Sequence, residues 1–157
     1  MKNSSLDQQF MGIALEVAKC SNCGRRKVGA VIVRDGRVIV EACNGTPAGM
    51  TPCNEGGCPR CLSETPQGQE YESCLCIHAE QAAIALAAQE GLKTVGATMY
   101  CTLRPCLTCV KLCLQAGIKQ IIYYHDTEFL PDVEESYKQL VQQTGFTLIR
   151  CREEAKR

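Results

Sequence analysis

Whatever fold this chain adopts must reconcile two short stretches, Cys76-Ile-His-Ala-Glu80 and Arg104-Pro-Cys-Leu-Thr-Cys109. Cys106 and Cys109 stand three apart, so in the first turn of a helix their sulfurs share one face and can bind one ion. Pro105 suits the first position of such a helix. His78 and Glu80 stand two apart, and at that spacing side chains inside a helix point to nearly opposite sides. They can serve one site only where a helix is just beginning. The pattern therefore calls for two helix N-termini facing each other, whose positive ends favour thiolate and hydroxide.

One imidazole and two thiols match the donor set of catalytic zinc, which takes three protein ligands and keeps a fourth position for water. His78, Cys106 and Cys109 are the candidate ligands. Zinc lowers the pKa of bound water from about 15.7 to about 7, giving hydroxide at neutral pH. Glu80 is the candidate catalytic residue, taking that proton to a ring nitrogen and then to a departing amine. HxE followed by PCxxC is the signature of zinc enzymes that deaminate nucleobases. The alternative is a structural zinc closed by His78, Cys106, Cys109 and one further cysteine, with Glu80 a solvated helix residue. Cys74 and Cys76 lie close enough in the chain to supply that fourth ligand.

A chain of 157 residues, 45% hydrophobic, can bury the core of one domain, expected over residues 1–157 with a cysteine-rich loop insertion at about 45–77. Lysines and arginines number 17 and acids 17, so no global field draws the chain to polyanions or membranes. A small diffusible substrate fits better than a nucleic-acid polymer. No apolar run approaches the roughly 20 residues needed to span a bilayer. The start, Met1-Lys2-Asn3-Ser4-Ser5, lacks the apolar centre of a signal peptide, so the cytosol is the expected compartment. Thirteen cysteines in a reducing compartment favour metal over disulfides. The CxxC pairs Cys20/Cys23, Cys58/Cys61 and Cys106/Cys109 agree with that reading.

Apolar spacing predicts a helix over residues 6–19, with Ser5 as its cap. Val28-Gly-Ala-Val-Ile-Val33 reads as a strand covered on both faces. Asp35-Gly36 supplies a two-residue hairpin turn into a second strand over 37–44. Periodicity is lost over 45–75, a long loop that function or metal must hold. Helices are predicted over 78–89, 105–116 and 132–144, and strands over 97–102, 119–124 and 146–150. A hairpin followed by alternating strands and helices implies an α/β fold, a mixed five-stranded sheet sandwiched by helices. Cys43, Cys101, Cys113 and Cys151 read as small buried hydrophobes, His125 as an exposed loop residue, and Cys20 and Cys76 have no assigned role.

The zinc residues, together with Val28-Gly-Ala-Val-Ile-Val33, Asn44-Gly-Thr-Pro-Ala-Gly49, Gly96-Ala-Thr-Met-Tyr100 and Gln115-Ala-Gly-Ile118, resemble the deoxycytidylate (dCMP) deaminases of the cytidine deaminase superfamily. The resemblance covers about residues 12–124. It implies a three-layer α/β/α cytidine deaminase-like fold, and hydroxide on zinc attacking C4 of dCMP to give dUMP and ammonia. It also implies substrate contacts from Asn44 and the backbone of Ala79; on its own, an Asn before Gly is also an ordinary turn residue. A second, structural zinc is implied as well: Cys23 and Cys53 match two of its ligands, Cys58 and Cys74 are chosen to complete it, and Cys61 is the alternate through its CxxC spacing. Homo-oligomers, often hexamers, and regulation by dCTP and dTTP are further implications.

Ala82, where the family commonly has asparagine, and Cys43, where it has an aromatic, depart from the pattern. Tyr123-Tyr124-His125-Asp126 stands where the family often carries a phosphate-binding tyrosine, and Arg25, Arg26 and Arg104 are alternative phosphate ligands by charge. Deamination of another nucleobase or of a pterin or riboflavin precursor is the nearest rival activity. A purely structural zinc module is the rival of a different class.

Overall fold

The computed structural model describes residues 5–66 and 69–151. The stretch Met1 to Ser4, used above to assign a compartment, lies outside the described residues. Chain order is α1 (Ser5–Ala18), β1 (Gly29–Arg34), β2 (Arg37–Cys43), a one-turn α2 (Pro59–Leu62), α3 (Ala79–Gln89), β3 (Thr98–Leu103), α4 (Leu107–Gln115), β4 (Gln120–His125), α5 (Pro131–Thr144) and β5 (Thr147–Arg150). The strands form one sheet in the order β2-β1-β3-β4-β5. β1 is antiparallel to β2 and to β3, whereas β3, β4 and β5 run parallel. This is the expected mixed sheet.

Its two faces explain the apolar run in β1. Ala30 and Ile32 face a core built with Ala79, Ala83 and Ala87 of α3, Val110 and Cys113 of α4 and Tyr137 of α5. Val31 and Val33 point the other way, onto Met11 and Ala14 of α1. A strand buried on both sides needs no polar alternation. Asp35 and Gly36 both take positive φ, 53° and 72°, which makes the hairpin turn match the twist of its strands.

Four expectations are corrected in detail. Pro105 does not open α4; it precedes Cys106, which is the helix N-cap. Ser5 is counted inside α1, within the usual latitude of helix boundaries. Residues 45–77 are not structureless, since they contain α2 and 3-10 turns at Cys53–Glu55 and Tyr71–Ser73. Cys101, Cys113 and Cys151 are buried as expected, but Cys43 is only half-buried because it ends the edge strand β2. His125 is exposed, at the last position of β4.

The antiparallel step between β1 and β3 places the start of β1 and the ends of β2 and β3 at one edge of the sheet, where Gly29 faces Cys43 and Ala30 faces Cys101. Both α3 and α4 begin there. The long loop closes on the same edge, through the paired backbone bonds Gly45 N to Ile77 O, 3.2 Å, and Ile77 N to Gly45 O, 2.8 Å.

Gly29 lets α1 press onto β1. A Cβ at Gly29 would lie 2.2 Å from Ala14 O and 2.7 Å from Ala18 N, both backbone atoms that cannot give way alone. Gly29→Ala is expected to destabilise the fold by about 1–3 kcal/mol through overpacking, read as a lower urea midpoint at unchanged slope. Gly12→Ala is the control: nothing lies within 4 Å of its Cβ, and removing a helical glycine should stabilise by up to about 1 kcal/mol.

Candidate active site

His78 is the N-cap of α3, with extended backbone at φ −71° and ψ 152°, so its ring leaves the helix line before the helix begins. Gln81, three residues on, fixes that geometry by accepting the His78 backbone N–H at 3.0 Å. Glu80 is the second residue of α3, and its carboxyl is buried. The two side chains thus diverge less than they would inside a helix. Cys106 caps α4 in a similar extended conformation, and Cys109 occupies the third helical position.

The three donors converge. His78 Nδ1 lies 3.6 Å from Cys106 Sγ and 3.4 Å from Cys109 Sγ. In a tetrahedral zinc site with Zn–N of about 2.0 Å and Zn–S of about 2.3 Å, the N···S edge is about 3.5 Å. The donor chemistry and spacing therefore fit zinc. Glu80 is not one of the three.

The electrostatics polarise this group. A hydrogen bond from Cys109, helped by the nearby His78 ring and opposed by burial, holds the Cys106 thiol down to about 4. The same bond, with burial, pushes Cys109 up. The thiolate on Cys106 in turn raises His78. Burial pushes the Glu80 carboxyl up against the opposing pull of His78. A carboxyl in this setting is suited to exchanging protons.

His78, Ala79, Glu80 and Cys106 form one wall of a pocket whose other sides come from Val28, Asn44, Leu103, Phe129 and the cysteine loop. Four arginines, Arg25, Arg26, Arg60 and Arg104, also line it. Arg104 is committed to a two-pronged pair with Glu134, at 2.7 and 2.9 Å, beneath the rings of Phe129 and Tyr137. Arg25 donates to the carbonyls of Arg60, Cys61, Ser63 and Thr65 and so braces the loop. Glu134 offsets the charge of Arg104, whereas Arg25 binds only neutral carbonyls and keeps its charge beside the pocket. Tyr123 is half-buried, and His125 and Asp126 are exposed.

Asn44 sits on the pocket wall and also clips the chain. Its Oδ1 accepts from Ser21 Oγ at 2.7 Å and from Val28 N at 2.8 Å, while Nδ2 donates to Arg26 O at 2.7 Å. One of its two amide hydrogens is used in that set. Ala79 is fully buried at the start of α3. Ala82, one turn beyond His78, packs against the core.

Ser21, Gln81, Arg60 and Tyr71 also belong to the site and carry little mark in the sequence. Gln81 could have been found, because a glutamine three residues after a cap is a capping-box pattern. Nothing in the local sequence marks Ser21. Tyr71 stands edge-on to His78 at 6.1 Å with Arg60 stacked on its ring at 4.7 Å, an arrangement set by the loop fold.

All four residues chosen for a second metal, Cys23, Cys53, Cys58 and Cys74, pack together with Cys61 and Cys76. The grouping differs from the one expected. Among the described residues, the four-thiol sets within 4.8 Å are Cys23, Cys53, Cys61 and Cys76, and Cys58, Cys61, Cys74 and Cys76. Cys61, the alternate, and the unassigned Cys76 belong to both sets. Cys20, for all its CxxC spacing to Cys23, is exposed and belongs to neither.

Comparison with known proteins agrees with this geometry. The deoxycytidylate deaminase of Schizosaccharomyces pombe is 49% identical over 120 residues, 76% of this chain and 37% of that protein, so the chain spans well under half of that relative. The deoxycytidylate deaminase of Mycobacterium phage D29 is 41% identical over 128 residues, 78% of this chain and 97% of the phage protein. Among solved structures, the dCMP deaminase of cyanophage S-TIM5 in complex with dCMP and dUMP superposes with a TM-score of 0.73 at 29% identity, covering 96% of this chain and 99% of that one. Residues 4–125 match the cytidine and deoxycytidylate deaminase zinc-binding region. With His78, Cys106 and Cys109 converging at two helix N-termini beside a buried Glu80, the chain belongs to the cytidine and deoxycytidylate deaminase family.

Proposed function

We propose that this chain hydrolyses dCMP to dUMP and ammonia. The observation that carries the reading is the buried Glu80 carboxyl beside a three-donor zinc group, in a pocket bordered by four arginines. Similarity to a deaminase solved with dCMP and dUMP supports the choice of substrate.

His78, Cys106 and Cys109 would hold the zinc, which when bound would make a water acidic enough to yield hydroxide near neutral pH. Glu80 accepts a proton from the attacking water and donates it to ring nitrogen N3. As the water oxygen bonds to C4, the ring C=N bond becomes a single bond. Glu80 then carries the second water proton to the exocyclic amine, which leaves as ammonia, and C4 keeps the oxygen as the carbonyl of dUMP. The backbone of Ala79 and the side chain of Asn44 contact the base or sugar. Arg25, Arg26 and Arg60 at the pocket edge, with Arg104 offset by Glu134, supply the field that favours a phosphorylated substrate over a neutral nucleoside.

Length and composition carry the reading of one domain over 1–157, and the family resemblance carries a homo-oligomer, often a hexamer, regulation by dCTP and dTTP, and a structural metal site in the cysteine loop. No helix among the described residues is long and apolar enough to cross a membrane.

Ammonia release from dCMP, CMP, deoxycytidine, dCTP, guanine and riboflavin precursors tests the substrate. dCMP should be fastest. A preference for deoxycytidine would overturn the phosphate reading, and no ammonia from any compound at full zinc content would overturn deamination itself. Glu80→Gln should retain zinc and lose about 10²–10⁴-fold in kcat. A Gln variant with near-normal kcat removes Glu80 from the chemistry.

A further inference from the structure

Cys23, Cys53, Cys58 and Cys61 are each buried to 7% exposure or less, and Cys74 and Cys76 pack against them. All six are free thiols. We infer that this cluster binds two zinc ions as a binuclear centre, with Cys61 and Cys76 bridging, Cys23 and Cys53 completing one tetrahedron and Cys58 and Cys74 the other. The inference deepens the reading that the cysteine loop holds metal and rests on it; it does not depend on the substrate.

One tetrahedral ion takes four ligands, so a single zinc would leave two of the packed thiols unused against a metal–thiolate group. Two tetrahedra that share an edge need six thiols, two of them common to both. Six are present, and the two four-thiol sets share the pair Cys61 and Cys76. With Zn–S of about 2.3 Å the edge of a ZnS₄ tetrahedron is about 3.8 Å. The sulfur separations are 3.9 Å for Cys23–Cys61, 3.9 Å for Cys58–Cys74, 3.6 Å for Cys61–Cys74 and 3.8 Å for the shared edge Cys61–Cys76. A disulfide would need sulfurs about 2.05 Å apart.

Backbone donors fall where such a centre needs them. A bridging thiolate divides its charge between two cations, whereas a terminal one does not. Gly24 N–H points at Cys53 Sγ and Leu75 N–H at Cys58 Sγ, each at 3.3 Å, one terminal ligand of each tetrahedron. Six thiolates on two divalent ions leave net negative charge; Arg60 immediately precedes Cys61 and Arg25 stands two residues after Cys23. An all-sulfur donor set with no imidazole or carboxylate selects a soft ion, and zinc fits the tetrahedral arrangement.

The centre gathers the segment before β1, the turn after Pro52, α2 and the segment entering α3. Cys76 is two residues from His78. The bridging ligand therefore fixes the approach to the N-cap that carries the active-site imidazole, and the cluster residues Cys23, Cys61, Cys74 and Cys76 line the same pocket.

Native mass spectrometry of the full chain loaded with zinc chloride tests this directly. About three zinc ions per chain are expected, two in the cluster and one at His78; about two, or bound iron or copper in place of zinc, would overturn the binuclear centre. His78→Ala should drop the count to about two. A variant that keeps three would sink the active-site assignment and leave the cluster standing. Cys58→Ser should lose one ion, since Cys23, Cys53, Cys61 and Cys76 still close a site. If that variant does not fold, cobalt substitution of the wild type gives the answer: bridging thiolates couple the two ions and suppress part of the paramagnetic signal, and a signal that is the plain sum of isolated cobalt ions contradicts the proposal.

Discussion

Three donor atoms, His78 Nδ1 and the sulfurs of Cys106 and Cys109, must sit within about the edge of one tetrahedron, and that requirement orders the surrounding structure. Two of them belong to N-cap residues. A cap has extended backbone, so its side chain projects beyond the helix end instead of along its flank. The sheet edge where β3 ends is where two such ends can meet, because α3 and α4 pack on the same face and both start there. The antiparallel β1/β3 pair brings Val28 and Asn44 to the same edge. Site and topology are thus one constraint seen at two scales.

The cysteine loop supplies what the sheet cannot. A segment with no apolar periodicity has little core of its own to bury, so ordering it must be offset by something other than hydrophobic contact. Six packed thiols, the Arg25 and Arg60 bonds to loop carbonyls and the Gly45–Ile77 bridge are the means available. The loop then closes one side of the pocket with Tyr71 and Arg60. The thiol cluster and the shape of the active site are linked through Cys76 and His78, two residues apart.

The sheet and the four longer helices are legible in the sequence, because β1 to β5 are marked by β-branched runs and the helices by apolar spacing and by glycines at their ends. The convergence of His78, Cys106 and Cys109 near Glu80 is legible because the spacing of each stretch already limits where a helix can begin. Other features depend on through-space pairing and leave no local trace. Cys20 and Cys76 look alike in the chain, yet one is exposed and the other is shared by two thiol sets. The Arg104–Glu134 pair joins the segment just after β3 to α5, and no sequence pattern connects the two. Asn44 reads as a turn or a substrate ligand, and its three bonds to residues 21–28 appear only once β2 lies beside the start of β1.

The central claim is that zinc at His78, Cys106 and Cys109 keeps one position open beside Glu80. An anomalous difference map at the zinc absorption edge, from crystals of the zinc-loaded chain, tests it most directly. The account predicts a peak within bonding distance of only those three protein atoms, with the Glu80 carboxyl near the fourth position but not on the metal. A peak closed by a fourth cysteine sulfur, or by Glu80 itself, would contradict it.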